Sequence, residues 1–242
     1  MAARRKRAAP VREVQGAAAN AQGDVRAVLG TPASERAQPL RVVATMRSAV
    51  TNPPMLDGLL ASVVAQKAGL VAGFGPMHAV CIPVATEPGG RFHLATSPIF
   101  FAESHELRYV NQKFPIAEAQ MFGDAKLKRV HVSQGATKSY RIPTEAMHVE
   151  GDVIAWYCVG DEEPIRELLH CVTHLGKKRG VGRGAVASWL VEPTEECVMV
   201  NEGRPTRPLP LDWPGVTRGR KRMHTLTYPY WEHTREEMLW LP

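Results

Sequence analysis

Gly151-Asp-Val-Ile-Ala-Trp-Tyr-Cys-Val159 is followed by Asp161-Glu-Glu-Pro164 and then by an apolar set at helical spacing, Ile165, Leu168, Leu169, Val172 and Leu175. After it comes Gly176-Lys-Lys-Arg-Gly-Val-Gly-Arg-Gly184, and then Ala185 to Val191. The first run is a short apolar strand. Asp161 stands where a helix N-cap belongs, with Pro164 in the first turn and Gly176 as the stop. Ala185 to Val191 reads as a second strand. Strand, helix, glycine loop and strand thus follow one another from Asp152 to Val191.

An earlier stretch has the same grammar. Leu40-Arg-Val-Val-Ala-Thr-Met-Arg-Ser48 alternates as a strand does, and Asn52-Pro53-Pro54 stops it. Met55, Leu56, Leu59, Leu60, Val63 and Val64 recur at helical spacing up to Gly69. Two β-α-β halves imply an α+β, ferredoxin-like or RRM-like core, an antiparallel sheet with two helices on one face. Ala79 to Ala85, Phe92 to Phe101 and Lys126 to Ser133 read as inserted strands over about residues 79–141, with an inserted β-hairpin among them, while 102–125 reads as irregular. The expected organisation is an Ala-rich basic extension at 1–38, a core domain at 39–193 and an irregular Pro- and aromatic-rich extension at 194–242. Residues 1–38 carry eleven alanines and no aromatic, too little apolar surface for a packed core.

Composition narrows the classes. The chain has 242 residues, 44% hydrophobic and 22% charged, an ordinary globular balance that excludes collagen-like and wholly disordered chains. Thirty Lys and Arg against 24 Asp and Glu give a formal charge of +6, which favours polyanionic partners. The longest helical apolar stretch, Met55 to Val64, is broken by Asp57, Gly58 and Ser62, so no membrane span is expected. No apolar stretch follows Arg4-Arg-Lys-Arg7, so no secretory signal is expected either. Cys81, Cys158, Cys171 and Cys197 lack CxxC spacing and read as reduced, mostly buried thiols of a cytoplasmic protein.

Three segments could carry chemistry. The loop from Gly176 to Gly184 packs four glycines and four cations into nine residues without an acid. Glycine lets backbone N–H groups approach an anion, and Arg and Lys supply phosphate contacts. No Gly-Lys-Ser/Thr ends the loop and it follows a helix, so it is neither a Walker loop nor a dinucleotide fingerprint, and no cofactor is expected. The second segment holds Lys126, Lys128, Arg129, Lys138 and Arg141, with His131 and Tyr140 among them. Cations interleaved with rings suit single-stranded nucleic acid. The third is Arg218-Gly-Arg-Lys-Arg222. A metal-independent ribonuclease would need a general base such as His131 or His174 beside cations. His170 and His174 at helical i, i+4 spacing, and Asp57 alone, are weak metal candidates, and no metal is expected.

The glycine loop resembles that of the RAMP superfamily of CRISPR proteins, which are RRM-like RNA-binding subunits. Met55-Leu-Asp-Gly-Leu-Leu-Ala61 resembles a Leu-Asp-Ala-Leu-Leu-Ala helix start found in several of them, and Lys138-Ser-Tyr-Arg141 fits as well. Across residues 40–215 the chain most resembles the Cas-five-like subunit of type IV CRISPR effector complexes. The resemblance implies a non-catalytic subunit that binds and caps the five-prime handle of the CRISPR RNA in RNA-guided DNA targeting. It implies contacts with the filament of backbone subunits, a large subunit and target DNA. By that resemblance Lys177, Lys178, Arg179, Gly180, Gly182, Arg183 and Gly184 face the handle. Lys126, Lys128, Arg129, His131, Lys138, Tyr140 and Arg141 line the same groove or a thumb hairpin. The alternative is an endoribonuclease that processes CRISPR repeat RNA, or an RNA-binding protein unrelated to CRISPR.

Overall fold

The computed structural model describes residues 31–69, 80–112, 133 and 138–242. The central sheet has three antiparallel strands in the order β4-β1-β5, where β1 is Gln38–Met46, β4 is Val153–Gly160 and β5 is Val186–Pro193. Register stacks the apolar positions in rows: Leu40 opposite Cys158, Val42 between Trp156 and Val191, Ala44 between Ile154 and Trp189. These side chains share one buried cluster with Leu56, Leu59, Leu60, Val63 and Val64 of α1 (Leu56–Lys67) and Ile165 and Leu169 of α2 (Glu162–Leu169). Both indoles in the sheet find acceptors: Trp156 donates to the Pro54 carbonyl at 3.1 Å and Trp189 to the Val172 carbonyl at 2.9 Å.

The β1, α1, β4, α2 and β5 elements match the sequence reading, and the result is a mixed α/β fold with antiparallel sheets, consistent with a RAMP-like architecture. Four expectations are corrected. First, Ala102–Gln112 is a strand, β2, paired antiparallel with β3, Tyr140–Val149. It escapes pattern reading because its side chains are mostly exposed and no buried face imposes alternation. The inserted hairpin is therefore 102–149. Within the described residues, the segments read as strands at 79–85 and 92–101 form only bridges, among them Val84 with Gly160, Ala95 with Cys158 and Ile99 with Ala155. The strand expected at Lys126 to Ser133 lies outside the described residues, apart from Ser133.

Second, α2 stops at Leu169 and not at Leu175. The chain after it pairs instead with the start of β5: Leu175 N–H donates to the Gly184 carbonyl at 2.7 Å and Val186 N–H to that of Thr173 at 2.9 Å. Val172 and Leu175 remain buried, but His170 and His174 do not share a helix. Third, Asp161 occupies the N-cap position but its side chain caps no helix N–H; its carboxylate accepts from Ser34 N–H at 2.7 Å and Ser34 Oγ at 2.6 Å.

Fourth, the C-terminal region is not irregular. It forms a sheet in the order β8-β10-β9, with β8 Leu209–Pro210, β9 Arg220–Thr225 and β10 Glu236–Leu241, and a small ladder of β6 Val200–Asn201 with β7 Arg204–Pro205. Its own core is Phe92, Leu209, Leu226 and Leu239. Asp57 attaches this unit to α1. Asp57 and Arg207 are both fully buried, with Arg207 Nη1 3.5 Å from Asp57 Oδ2. The Tyr230 hydroxyl donates to the same carboxylate, 2.7 and 2.6 Å from its two oxygens. Arg207 also donates to the carbonyls of His93, Ala95, Leu226 and Pro208, and lies over the Phe92 ring. Asp57 is thus a structural anchor.

Breaking a buried pair strands a charge, so D57A is expected to cost about 3–5 kcal/mol of unfolding free energy in urea titration. Y230F, which removes one hydrogen bond, should cost about 1–3 kcal/mol. His93 gives a second test. Burial lowers its pKa, opposed by Asp57 and reinforced by Arg207. The unfolded chain then takes up a proton that the folded chain refuses, so stability should fall as pH drops below about 6.5. Denaturant midpoints at pH 7.5 and 5.5 measure it, and a His93→Gln variant should show a smaller drop.

Candidate nucleic-acid interface

The stretch from Arg47 to Asn52, which leads from β1 to α1, holds the site together. On one side the glycine loop is bonded to it: Gly184 N–H to the Ala49 carbonyl at 2.9 Å, Lys177 N–H to that of Thr51 at 2.8 Å, and Ser48 Oγ to that of Gly182 at 3.0 Å. On the other side Val50 and Met147 exchange two backbone hydrogen bonds, and Thr51 Oγ1 donates to the Glu145 carbonyl at 2.8 Å. The loop and the hairpin are therefore set against one short connector.

The glycines have different reasons. Gly176 and Gly184 have φ of +74° and +69°, and a Cβ there would lie 2.1 Å from the Thr51 carbonyl oxygen and 1.9 Å from that of Leu175. No larger residue fits this close approach. Gly180 has open space around it and an ordinary φ. The loop's middle, Arg179–Val181, is a 3-10 turn, and Lys177, Lys178 and Arg179 are exposed.

Arg183 behaves differently from the other loop cations. It is only 6% exposed, and it pairs with Glu106 of β2 at 3.3 Å. Among the described residues its Nη2 is buried without a hydrogen-bond partner. Arg183 lines a cleft of about 540 Å³ with Arg47, Arg108, Glu106, Tyr109 and His148. Glu106 is also held by Arg108, whose Nε bonds its Oε1, and His148 Nε2 lies 3.9 Å from its Oε2. Three guanidinium groups against one carboxylate leave the cleft cationic, and the unpaired Arg183 donor is already desolvated.

The other half of the loop serves other surfaces. Lys177 and Lys178 border a second cleft with His105, Pro143 and Glu145, and Lys177 and Arg179 border a groove described below. Tyr140 and Arg141 pair with Gln112 and Asn111 at the loop end of the hairpin, with Lys138 just before them, and none of the three lines the cleft. Arg141 stacks over the Tyr109 ring at 4.1 Å and Lys138 over Tyr140 at 5.4 Å. Lys126, Lys128, Arg129 and His131 lie outside the described residues. Sequence reading missed Arg47, Arg108, Tyr109 and His148, which stand in no basic run. The alternation Glu106-Leu-Arg108 was the available signal, since it puts both charges on one face of a strand.

The scan against protein families matches residues 100–242, more than half of the chain, to the CRISPR type IV associated protein Csf3. The chain belongs to the Csf3 family. The match covers the hairpin, the β4-α2-β5 unit with its glycine loop and the C-terminal sheet. It supports the resemblance of the sequence to a type IV CRISPR Cas-five-like subunit. No curated protein matches the chain. In this Csf3-family chain all four cysteines are free, with Cys158 buried, Cys81 and Cys197 half-buried and Cys171 exposed. Burial raises the thiol pKa of Cys158 far above its usual range and that of Cys197 to about 12, so neither is a nucleophile at neutral pH. Among the described residues no group of three His, Cys, Asp or Glu could hold a metal, and no helix is long and apolar enough to cross a membrane.

Gly184→Ala should distort the loop and cost about 2 kcal/mol or more, because the Cβ meets backbone and φ is positive. Gly180→Ala should change stability by less than about 0.5 kcal/mol. Thermal melts of the two variants side by side check the difference.

Proposed function

We propose that this chain is the non-catalytic CRISPR RNA-binding subunit of a type IV-like effector ribonucleoprotein, and that it binds and caps the five-prime handle. The unpartnered Nη2 of buried Arg183, in a cleft shared with Arg47 and Arg108, carries the reading. Burying a guanidinium is costly unless its donors are used, and a phosphate oxygen would use the free one. The β4-β1-β5 order, with the 84–99 segment bridged to β4, supports a ferredoxin-like core whose fourth strand is reduced to bridges. The subunit would meet the backbone filament, a large subunit and target DNA as part of that complex, in the cytoplasm.

In the cleft the handle phosphate takes the place of Glu106 against Arg183 and Arg108. The exposed loop cations Lys177, Lys178 and Arg179 hold neighbouring phosphates, and Lys138, Tyr140 and Arg141 hold the strand at the thumb. The test uses the purified chain with end-labelled repeat RNA and a scrambled control, on native and denaturing gels. R183Q and R108Q should each weaken repeat binding about tenfold or more. Each should also flatten the salt slope by about one phosphate contact. E106Q should bind several-fold tighter at low salt, roughly the effect of removing one repulsive charge. Unchanged affinity in all three variants would overturn the assignment of the cleft. The denaturing lane tests the enzyme alternative. His174 does not line this cleft, so a metal-free product lost on His148→Ala would make the chain a nuclease instead.

A further inference from the structure

The first half of the glycine loop borders a groove of about 460 Å³ that the cleft reading leaves unused. Its floor is apolar: Pro53, Pro54 and Met55 before α1, and Leu59 within it. Its cations are Lys177 and Arg179, and its rings are His174, His224, Tyr228, Tyr230 and Trp231. Among the described residues no acid lines it, although the chain as a whole carries nearly as many acids as bases. Trp231 is 58% exposed, the most exposed tryptophan in the chain and unlike Trp156, which is fully buried. It follows Tyr230, whose hydroxyl is anchored on Asp57, so the wall that carries the indole is held in place. His174 Nδ1 is engaged by Thr173 Oγ1 at 3.1 Å, and His224 Nδ1 lies 2.8 Å from the Thr225 carbonyl oxygen. In each ring Nε2 is the nitrogen available to a ligand.

An exposed indole on an anchored wall, two permanent cations, two imidazoles and no carboxylate match one chemistry. We propose that this groove is a base-stacking subsite for single-stranded RNA, in which a base lies on Trp231 and its flanking phosphate meets Lys177 and Arg179. The subsite is distinct from the Arg183 cleft and reads the ring face of a nucleotide, where the cleft reads phosphate. It gives the loop two functions, one for each half, with RNA passing from one surface to the other.

The experiment titrates the full chain with an eight-nucleotide single-stranded RNA, and in parallel with inorganic polyphosphate, which has charge but no bases. W231A is expected to weaken RNA binding about 5- to 150-fold, the range for loss of one stacked base. It should leave polyphosphate binding unchanged. W231F should keep most of the RNA affinity and lose the RNA-dependent quenching of tryptophan emission. Because the indole is exposed, both variants should melt with the wild type, and the circular dichroism melt is recorded for each. RNA affinity unchanged in W231A while R183Q weakens it would overturn the groove proposal and leave the cleft assignment standing. Equal loss for RNA and polyphosphate would overturn stacking. No RNA binding by the wild type would overturn both readings. Loss of a copurifying protein subunit in W231A, with RNA affinity intact, would make the groove a protein contact and overturn the proposal.

Discussion

The buried ion pair between Asp57 and Arg207, closed by the Tyr230 hydroxyl, is the interaction on which the arrangement of this chain depends. Asp57 sits in the first turn of α1, where a carboxylate also meets the positive end of the helix dipole. Arg207 comes from the C-terminal unit and satisfies carbonyls of His93, Ala95 and Leu226 on the way. Two ions taken out of water tolerate little change in geometry, because a displaced partner leaves a buried charge unpaired. The pair therefore fixes where the second core, Phe92 with Leu209, Leu226 and Leu239, sits against the first. Gly58 completes the fit, since a Cβ there would lie 3.1 Å from the Tyr230 ring.

A second constraint builds the site. The connector from Arg47 to Asn52 gives its backbone groups to the glycine loop on one side and to the hairpin on the other. The loop has no regular structure of its own beyond a single 3-10 turn, and it takes its shape from these bonds and from two glycines that approach carbonyl oxygens. The consequence is a division of labour among four adjacent cations. Arg183 turns inward to Glu106, while Lys177, Lys178 and Arg179 stay in water. Glu106, paired with both Arg183 and Arg108, offsets the repulsion between their guanidinium groups.

Much of the central sheet was legible from residue order. Alternation in Leu40 to Met46, the apolar run from Val153 to Val159, and the spacing of Leu56, Leu59, Leu60, Val63 and Val64 all reflect burial in one core. Where burial is absent the pattern fails. Ala102–Gln112 is exposed along most of its length and reads as irregular, yet it forms ten of the partnered positions of the hairpin. The extent of α2 failed for another reason. Val172 and Leu175 keep helical spacing and are buried, but backbone pairing of Thr173 and Leu175 with Gly184 and Val186 outcompetes a further helical turn.

By itself the sequence determined the two strand-helix units, the cationic character of the glycine loop and the family resemblance, because each is written in contiguous residues. Tertiary structure alone decided that Asp57 is an anchor, that Arg183 is buried with one free donor, and that Arg47, Arg108, Tyr109 and His148 stand beside it. It also decided that Trp231 faces the first half of the loop. Each of these depends on contacts between residues far apart in sequence, such as Arg183 with Glu106, 77 positions apart, and Tyr230 with Asp57, 173 apart. Local propensity has no access to such separations. Only the closure of the sheet and the desolvation of the buried charges select those partners.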